Sequence, residues 1–511
     1  MSTPTHTSSS AETLDTNALR DMREHKLAEY VRRGGVAYPN DFSPNATTAQ
    51  LAETYADASV HSQQALHDAP TPVLKLAGRI MLLRAFGKLI FARVQDGAGQ
   101  LQISVSVDGS GAEVFGLFND CIDLGDIVGV EGVMARTNKG ELTLAVQKFV
   151  LLTKGLQPLP DKYHGLADVE ARYRQRYLDL ITSPETRHVF VARSKAISAI
   201  RHFLDERGFL EVETPVLQIQ AGGASARPFK THHNALDLEL NMRIAPELFL
   251  KRLLVGGFER VYELSRNFRN EGISVKHNPE FTMLEFYSAY GTREDAMQLM
   301  EEMLRHTVQQ VCGSHAIPHG EDMIDFGPAF TKMTMREALL MLAGFTDAEL
   351  EHVDGLAAAA KAKGVDVPKP LPSYGELFQL CFETLVEKQL IQPTYIMDYP
   401  IETSPLVRQI PGRPGWTQRA ELYIAGREHG EFYSELNDPM DQRNRFERQR
   451  EQAKKGNEEA MPFDHDFLHA LEVGMPPALG VGLGIDRLAM LLTNQPSIRD
   501  VLLFPLMKPK D

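Results

Sequence analysis

Apolar and polar positions change their period along this 511-residue chain. From Leu74 to Leu152 they alternate in short runs, "KLIFARVQ", "LQISVSV", "DIVGVEGVMAR" and "LTLAVQKFVLL" among them, broken by turn signals such as "DGAG" and "NKG". Four or five short strands within about 80 residues predict a small barrel. Upstream, "ALRDMREHKLAEYVRRGG" predicts a charged helix stopped by Gly34 and Gly35. The Ser/Thr-rich start, to about residue 18, predicts disorder. Beyond the Pro/Gly-bearing "KGLQPLPDKYHG" the period becomes helical. Ile197, Ile200, Phe203 and Leu204 form one face, and Gly208 ends the helix. Leu210 and Val212 then alternate with Glu211 and Glu213 until Pro215 closes a strand.

After that point strands and helices mix irregularly, which predicts an α+β fold and not a doubly wound sheet. The expected division is a disordered start and helical segment over 1–70, a barrel over 71–155 and a linker over 156–175. A larger domain over 176–511 carries a mainly helical insertion at about 330–392.

Composition narrows the class without naming a chemistry. Hydrophobic content of 43% and charged content of 24% are ordinary for a soluble globular protein. No apolar run approaches the roughly 18 residues of a membrane span, and the start lacks the pattern of a secretory signal. Cys121, Cys312 and Cys381 make neither a disulfide framework nor a zinc pattern, so a cytoplasmic setting is expected. A net charge of -14 argues against a non-specific nucleic-acid binder, though not against one with a local basic surface.

Three stretches carry chemistry. "FERVYELSRNFRNEGISVKHNPEFTMLEFY" reads as a long hairpin: Arg269 and Glu271 end one strand, and Phe281, Glu285 and Tyr287 share a face of the other. The guanidinium suits phosphate or carboxylate, and Lys276 and His277 could add charge to a polyphosphate. In "ALGVGLGIDRLAMLL" the glycines at 480, 482 and 484 clear one strand face, so that a flat ligand could lie against it, and Arg487 follows. "AELYIAGREHGEFYSELND" is acidic. A solvated helix stripe would explain its charges, but its aromatic content favours a strand, with Glu431, Tyr433 and Glu435 on one face. Glu421 and Glu428, flanking an "AG" turn, could hold Mg²⁺ beside a phosphate.

Taken together, these stretches resemble the class II aminoacyl-tRNA synthetases, and the lysyl family in particular, over nearly the whole chain. "FLEVETP" is similar to that class's motif 1, "FRNEGISVKHNPEFTMLEFY" to motif 2 and "GLGIDRLAM" to motif 3; "GGASARPFKTHHNALD" and "RIAPELFLKRL" are similar to the lysine enzymes. The resemblance implies an antiparallel sheet flanked by helices, a homodimer, and an N-terminal OB barrel that reads the anticodon of tRNA(Lys). It implies activation of lysine by ATP and transfer to the tRNA 3′ end, with Mg²⁺ as cofactor. Arg269 and Arg487 are then the catalytic residues. Glu271, His277, Asn278 and Phe281 join them in binding ATP, and Glu421 and Glu428 hold the metal. Gly223, Glu247, Arg269, Glu285, Tyr287, Glu431, Tyr433 and Glu435 form the lysine site, and Arg79, Phe91, Gln102 and Glu141 the anticodon surface.

The chain departs from that pattern at several positions. Glu431 stands where the family has Asn, and its carboxylate would repel the substrate carboxylate unless protonated, turned away, or paired with Arg427 or a metal. Ala420 replaces a usual Phe and Leu479 a usual small residue, while Gln100 and Ser104 stand where Arg and an aromatic are common. Two other readings therefore accompany the leading one: a divergent paralogue that adenylates lysine or an analogue for another acceptor, and a catalytically silent tRNA-binding protein.

Overall fold

The computed structural model describes residues 16–56, 73–160, 166, 168–457 and 459–509. Most of the expected disordered start and part of the linker (161–165 and 167) lie outside the described residues. The chain forms two compact units, 1–165 and 166–511.

In the first unit, strands β1 (Leu74–Phe86), β2 (Leu89–Gln95), β3 (Gln100–Ser106), β4 (Ile127–Arg136) and β5 (Leu142–Thr153) close into a barrel in the order β1-β2-β3-β5-β4. Closure comes from the parallel pairing of Gln102–Ser104 with Thr143–Ala145. Alternation sends Ile90, Ala92 and Val94 inward with Ile103 and Val105. A helix that the alternating pattern did not announce, Ala112–Cys121, adds Phe118 and Cys121 to this core. The predicted N-terminal helix runs Thr16–Arg32; its Tyr30 is buried there, and its hydroxyl accepts from the Leu151 amide at 3.1 Å.

In the second unit the principal sheet has eight strands: β6 (Leu210–Glu211), β10 (Arg260–Phe268), β11 (Glu280–Ala289), β14 (Thr331–Thr334), β15 (Thr394–Pro400), β16 (Trp416–Ile424), β17 (Arg427–Ser434) and β18 (Ala478–Gly484). Their order is β14-β15-β16-β17-β18-β11-β10-β6. A three-stranded sheet is built from β7 (Leu217–Gln218), β8 (Lys230–His233) and β9 (Leu238–Met242). A hairpin joins β12 (Ala316–His319) to β13 (Asp322–Asp325).

The sheet has one apolar face. Leu284 and Phe286 of β11, Ala420 and Leu422 of β16, Phe432 of β17 and Val481 and Leu483 of β18 pack in one cluster with helices Pro184–Asp205 and Arg293–Cys312. The predicted helical face holds, with Ile200, Phe203 and Leu204 buried in that cluster. The strand after it is shorter than expected. Leu210–Glu211 pairs with β10 at the edge of the sheet, and Leu210 is exposed.

The stretch after β14 is mainly helical. Helices Met335–Leu342, Val353–Ala362 and Tyr374–Leu385 surround a core of their own that includes Leu339, Leu356, Phe378 and Phe382. Capping boxes at Thr334/Glu337 and Ser373/Glu376 start two of them. The region read as linker up to 175 contains the helix Val169–Arg174, whose Tyr173 hydroxyl donates to Asp500 at 2.9 Å.

Candidate active site

With even positions of β11 committed to the core, its odd positions face a cleft of about 470 Å³. Strand register assembles the cleft floor from four strands. Glu285 pairs with Gly482, Gly482 with Glu431, and Glu431 with Glu421. In the neighbouring row Tyr287 pairs with Gly480, Gly480 with Tyr433, and Tyr433 with Arg419. Directly paired residues share a sheet face, so residues far apart in sequence meet here.

"REHGEFYS" is strand and not a helix stripe. A perfect strand would nonetheless put Glu428 and Glu431, three residues apart, on opposite faces. The register shifts at this point: Leu422 opposes Gly430, whereas Tyr423 opposes Glu428, leaving His429 as an extra residue. This bulge inverts the alternation, and Glu428, His429, Glu431 and Tyr433 all line the cleft.

At one end, Arg269 lies over the Phe281 ring at 5.1 Å, and its buried Nε has no hydrogen-bond partner among the described residues. Strand β10 ends at Phe268, three residues before the Glu271 end that the sequence suggested. Arg269 and Glu271 belong to the loop to Pro279, pinned where the Arg269 amide donates to the Pro279 carbonyl at 2.9 Å. Asn278 donates to the Glu280 carbonyl at 2.6 Å, and among the described residues its buried Oδ1 has no partner. Burial and the nearby Arg487 charge depress the His277 imidazole. Arg487 donates to the Glu428 carbonyl oxygen at 2.7 Å and to its carboxylate at 3.0 Å. Burial works against the Glu428 carboxylate, but Arg487 holds it below the usual carboxylate range.

At the other end sit Gly223, Glu247, Glu285 and Tyr287. Tyr287 donates to Glu285 at 3.1 Å, and burial raises both groups well above their ordinary values. Glu435 does not line the cleft directly. It reaches the floor through Gly480, where a Cβ would lie 1.9 Å from Glu435 Oε1 and 2.6 Å from the Tyr287 ring. The space above Gly480 therefore belongs to these side chains and not to a flat ligand. At Gly482 a Cβ would meet only Met283 Cε, at 3.3 Å, so that part of the floor is open.

Glu431 has partners the sequence did not suggest. Tyr433 donates to its carboxylate, and Arg419 lies 3.6 Å from it. Arg419 also meets Glu421 at 2.5 Å and lies 4.7 Å from the Tyr399 ring. Glu421 accepts a second bond from Tyr423 at 2.5 Å and is buried beside the cleft. Burial pushes its carboxyl up to about 7 against the pull of Arg419, and Glu428 adds to the rise. Among the described residues no group of three or more His, Cys, Asp or Glu could hold a metal. Two carboxylates suit only an ion that keeps waters and takes further oxygens from phosphate, and Mg²⁺ is such an ion.

Sequence reasoning missed Arg419, His429 and Lys251. Arg419 stands two residues from Glu421, a spacing that places both on one strand face, and Lys251 stands one helical turn from Glu247. Nothing in the sequence pattern signalled the bulge at His429. Buried within the site, His429 has an Nδ1 with no partner among the described residues; burial and the Arg487 charge push its imidazole down to about 3.

In the barrel, Phe91 and Gln102 occupy adjacent strands, with Gln102 donating to Thr143 at 2.8 Å. Glu141 pairs with Arg93 at 3.0 Å, and Arg93 sits opposite Gln102. Arg79 lies apart, opposite Gln95, and donates to the Gly125 carbonyl at 2.7 Å.

Residues 168–508 match the family model for tRNA synthetases class II (D, K and N), and 74–152 match that for an OB-fold nucleic acid binding domain. The chain is similar to lysine--tRNA ligases along its length. It is 51% identical to that of Ralstonia nicotianae, over 97% of each chain, and 50% identical to that of Burkholderia vietnamiensis, over 100% of each. The enzyme of a Synechococcus species is 50% identical over 96% of this chain and 97% of its own.

Proposed function

Since the chain belongs to the class II tRNA synthetases, as a lysine--tRNA ligase, we propose a role for each side chain in activating lysine with ATP and charging tRNA. The observation that carries this reading is the cleft floor. Four carboxylates stand in one cross-strand row, Glu263, Glu285, Glu431 and Glu421, interrupted only by Gly482. Glu263 is paired with Arg243 at 2.6 Å, and Arg419 serves Glu421 and Glu431. Among the described residues Glu285 hydrogen-bonds only to a phenol, and Arg269 acts on it at longer range without pairing with it. A buried carboxylate without a cation is costly, and the ammonium of a lysine substrate is the cation that relieves it. Glu435, through the Gly480 gap, offers a second carboxylate to the same ammonium, and Glu247 with Gly223 receives the α-amine.

Arg269, with its Nε unsatisfied, orients the lysine carboxylate against the α-phosphate. The carboxylate oxygen attacks phosphorus, the bond to the bridging oxygen breaks, and pyrophosphate leaves. Arg269 offsets the charge that builds on phosphorus, while positioning supplies much of the remaining rate. Phe281 stacks on adenine with Glu271 and Asn278 at its edge, His277 meets the outer phosphates, and Arg487 covers the second adenine face. Arg487 would leave Glu428 partly free as nucleotide enters. Glu428 and Glu421 would hold Mg²⁺, which supplies charge neutralisation on the phosphates. In the second step the tRNA 3′-terminal ribose hydroxyl attacks the adenylate carbonyl and AMP leaves.

Phe91, Gln102 and Glu141 belong to the anticodon surface, with Arg93 added to them and Arg79 set further along the barrel. A homodimer working in the cytoplasm completes the reading. No helix among the described residues is long and apolar enough to cross a membrane.

Lysine-dependent ATP–pyrophosphate exchange tests the site. Glu285→Gln is expected to raise the KM for lysine by about a hundredfold, in line with the cost of truncating a buried charged contact, with the KM for ATP little changed. An unchanged lysine KM would show that Glu285 does not receive the substrate ammonium. Charging of tRNA(Lys) against a transcript with an altered anticodon tests the barrel surface.

A further inference from the structure

Lys251 is fully buried, on the helix Glu247–Val255, and its Nζ lies 2.6 Å from Glu247 Oε1 and 2.5 Å from Glu435 Oε2. An ammonium out of water needs such partners. These two are the carboxylates assigned to opposite ends of the substrate: Glu247 to the α-amine, Glu435 to the side-chain amine. The contact to Glu435 is an ion pair through Oε2, and among the described residues Glu435 Oε1 has no hydrogen-bond partner. That oxygen fills the gap over Gly480, at the cleft floor. One resident cation therefore ties the two receptors together and leaves a carboxylate oxygen free on the substrate side.

We propose that Lys251 is a positioning residue that sets amino-acid chain length: by bridging Glu247 and Glu435 it fixes the separation between the α-amine and side-chain amine receptors. This inference rests on the assignment of Glu247 and Glu435 to those amines. One oxygen of each receptor carboxylate contacts the same Nζ, so neither carboxylate can shift to follow a shorter or longer substrate without breaking an ion pair inside the protein. The surroundings add to the constraint. Tyr287 and Glu285 face the same space from β11, and Glu431 and Arg419 act on Glu247 from β17 and β16. Burial raises the Glu435 carboxyl to about 7 while Lys251 pulls it down, and the same holds in direction for Glu247. A pocket without Lys251 would hold these carboxylates less ionised as well as less fixed.

ATP–pyrophosphate exchange with lysine and with ornithine, one methylene shorter, tests the proposal on the full-length enzyme. One methylene is worth about 10–200-fold in a rigid pocket, so the wild type should prefer lysine within that range. Lys251→Met is expected to raise the lysine KM about tenfold or more and to cut the lysine-to-ornithine ratio of kcat/KM by at least tenfold. Because Glu247 holds the α-amine beside the reacting carboxylate, kcat is expected to fall as well, and the lysine-to-ornithine ratio of kcat/KM, not kcat, is the deciding readout. Lys251→Gln retains a donor for Glu247 and Glu435 and is made alongside, with folding followed by thermal unfolding. Lys251→Arg, which keeps the charge, should restore part of the lysine KM.

An unchanged lysine-to-ornithine ratio in a folded variant would overturn the proposal, whatever the activity. So would failure of both uncharged variants to fold, which would assign Lys251 to stability alone. Glu435→Gln separates the inference from its premise. If Glu435→Gln leaves the lysine KM unchanged, the assignment of Glu435 is wrong. If it raises that KM while Lys251→Met leaves the ratio intact, the assignment stands and the role of Lys251 in chain-length selection falls.

Discussion

Single side chains in the cleft are decided by their counter-charges. Glu431 lines the cleft, yet Arg419 and Tyr433 take much of its charge, so its carboxylate is tolerated where the family pattern has an amide. It still cannot donate to a substrate carboxylate. Glu431→Asn is expected to lower the KM for lysine about three- to tenfold, the worth of one hydrogen bond; exchange kinetics at fixed ATP measure it, and an unchanged or higher KM would show that Glu431 does not face the substrate carboxylate. Glu435 gives a pH dependence. Its carboxyl, raised by burial to about 7, is partly protonated in the free enzyme at neutral pH. A bound ammonium favours the ionised form, so binding lowers that pKa, releases a proton below pH 7, and is stronger above it. The lysine KM should fall as pH rises from about 6 to 8, with proton release visible by calorimetry in buffers of different ionisation heat. The same raised pKa means that Glu435 contributes stability fully below the carboxyl's unfolded value and loses it as pH rises through about 7. The free protein loses this contribution over that range, and bound lysine should reduce the loss.

Among the elements, β17 and β18 decide whether the carboxylates can work. Gly480 gives Glu435 and Tyr287 their space, whereas Gly482 leaves the floor open. Gly480→Ala is expected to lower kcat/KM for lysine by about a hundredfold or more, since ångström-scale displacement costs that much. Gly482→Ala should cost less, because its methyl meets only the mobile end of Met283. Equal losses, measured by exchange with thermal unfolding as a control, would mean that Gly480 does not seat Glu435. The strand identity of "EFYSEL" was legible from its aromatic content and alternation. The bulge at His429 was not, because it depends on how Leu422 and Tyr423 oppose the neighbouring strand. The helix Ala112–Cys121 was missed because it is short and sits among strands whose alternation dominates the pattern.

At the scale of the molecule, the barrel and the catalytic unit each have a core of their own, one built around Ile80, Val94 and Phe118 and the other around Phe286, Met300 and Phe432. Independent cores favour independent folding. A fragment covering 166–511 is expected to keep lysine-dependent exchange within about tenfold of the whole chain. Its charging of tRNA(Lys) should lose far more, because the proposed stacking of an anticodon base on Phe91 would be worth about 1–3 kcal/mol by itself. Parallel loss of both activities would show that the catalytic unit does not stand alone. The sequence by itself determined the barrel, the motif-bearing strands and the α+β class, since these are written in local periodicity and spacing, whereas most charged groups of the site were singled out through the resemblance of its motifs to a family. Only the tertiary structure decided which charges oppose which: Arg419 against Glu431, Lys251 between Glu247 and Glu435, and Glu428 turned by a bulge to the face of Glu431. These pairings depend on register between strands and helices far apart in the chain, and the energy that selects them exists only once the sheet has excluded water.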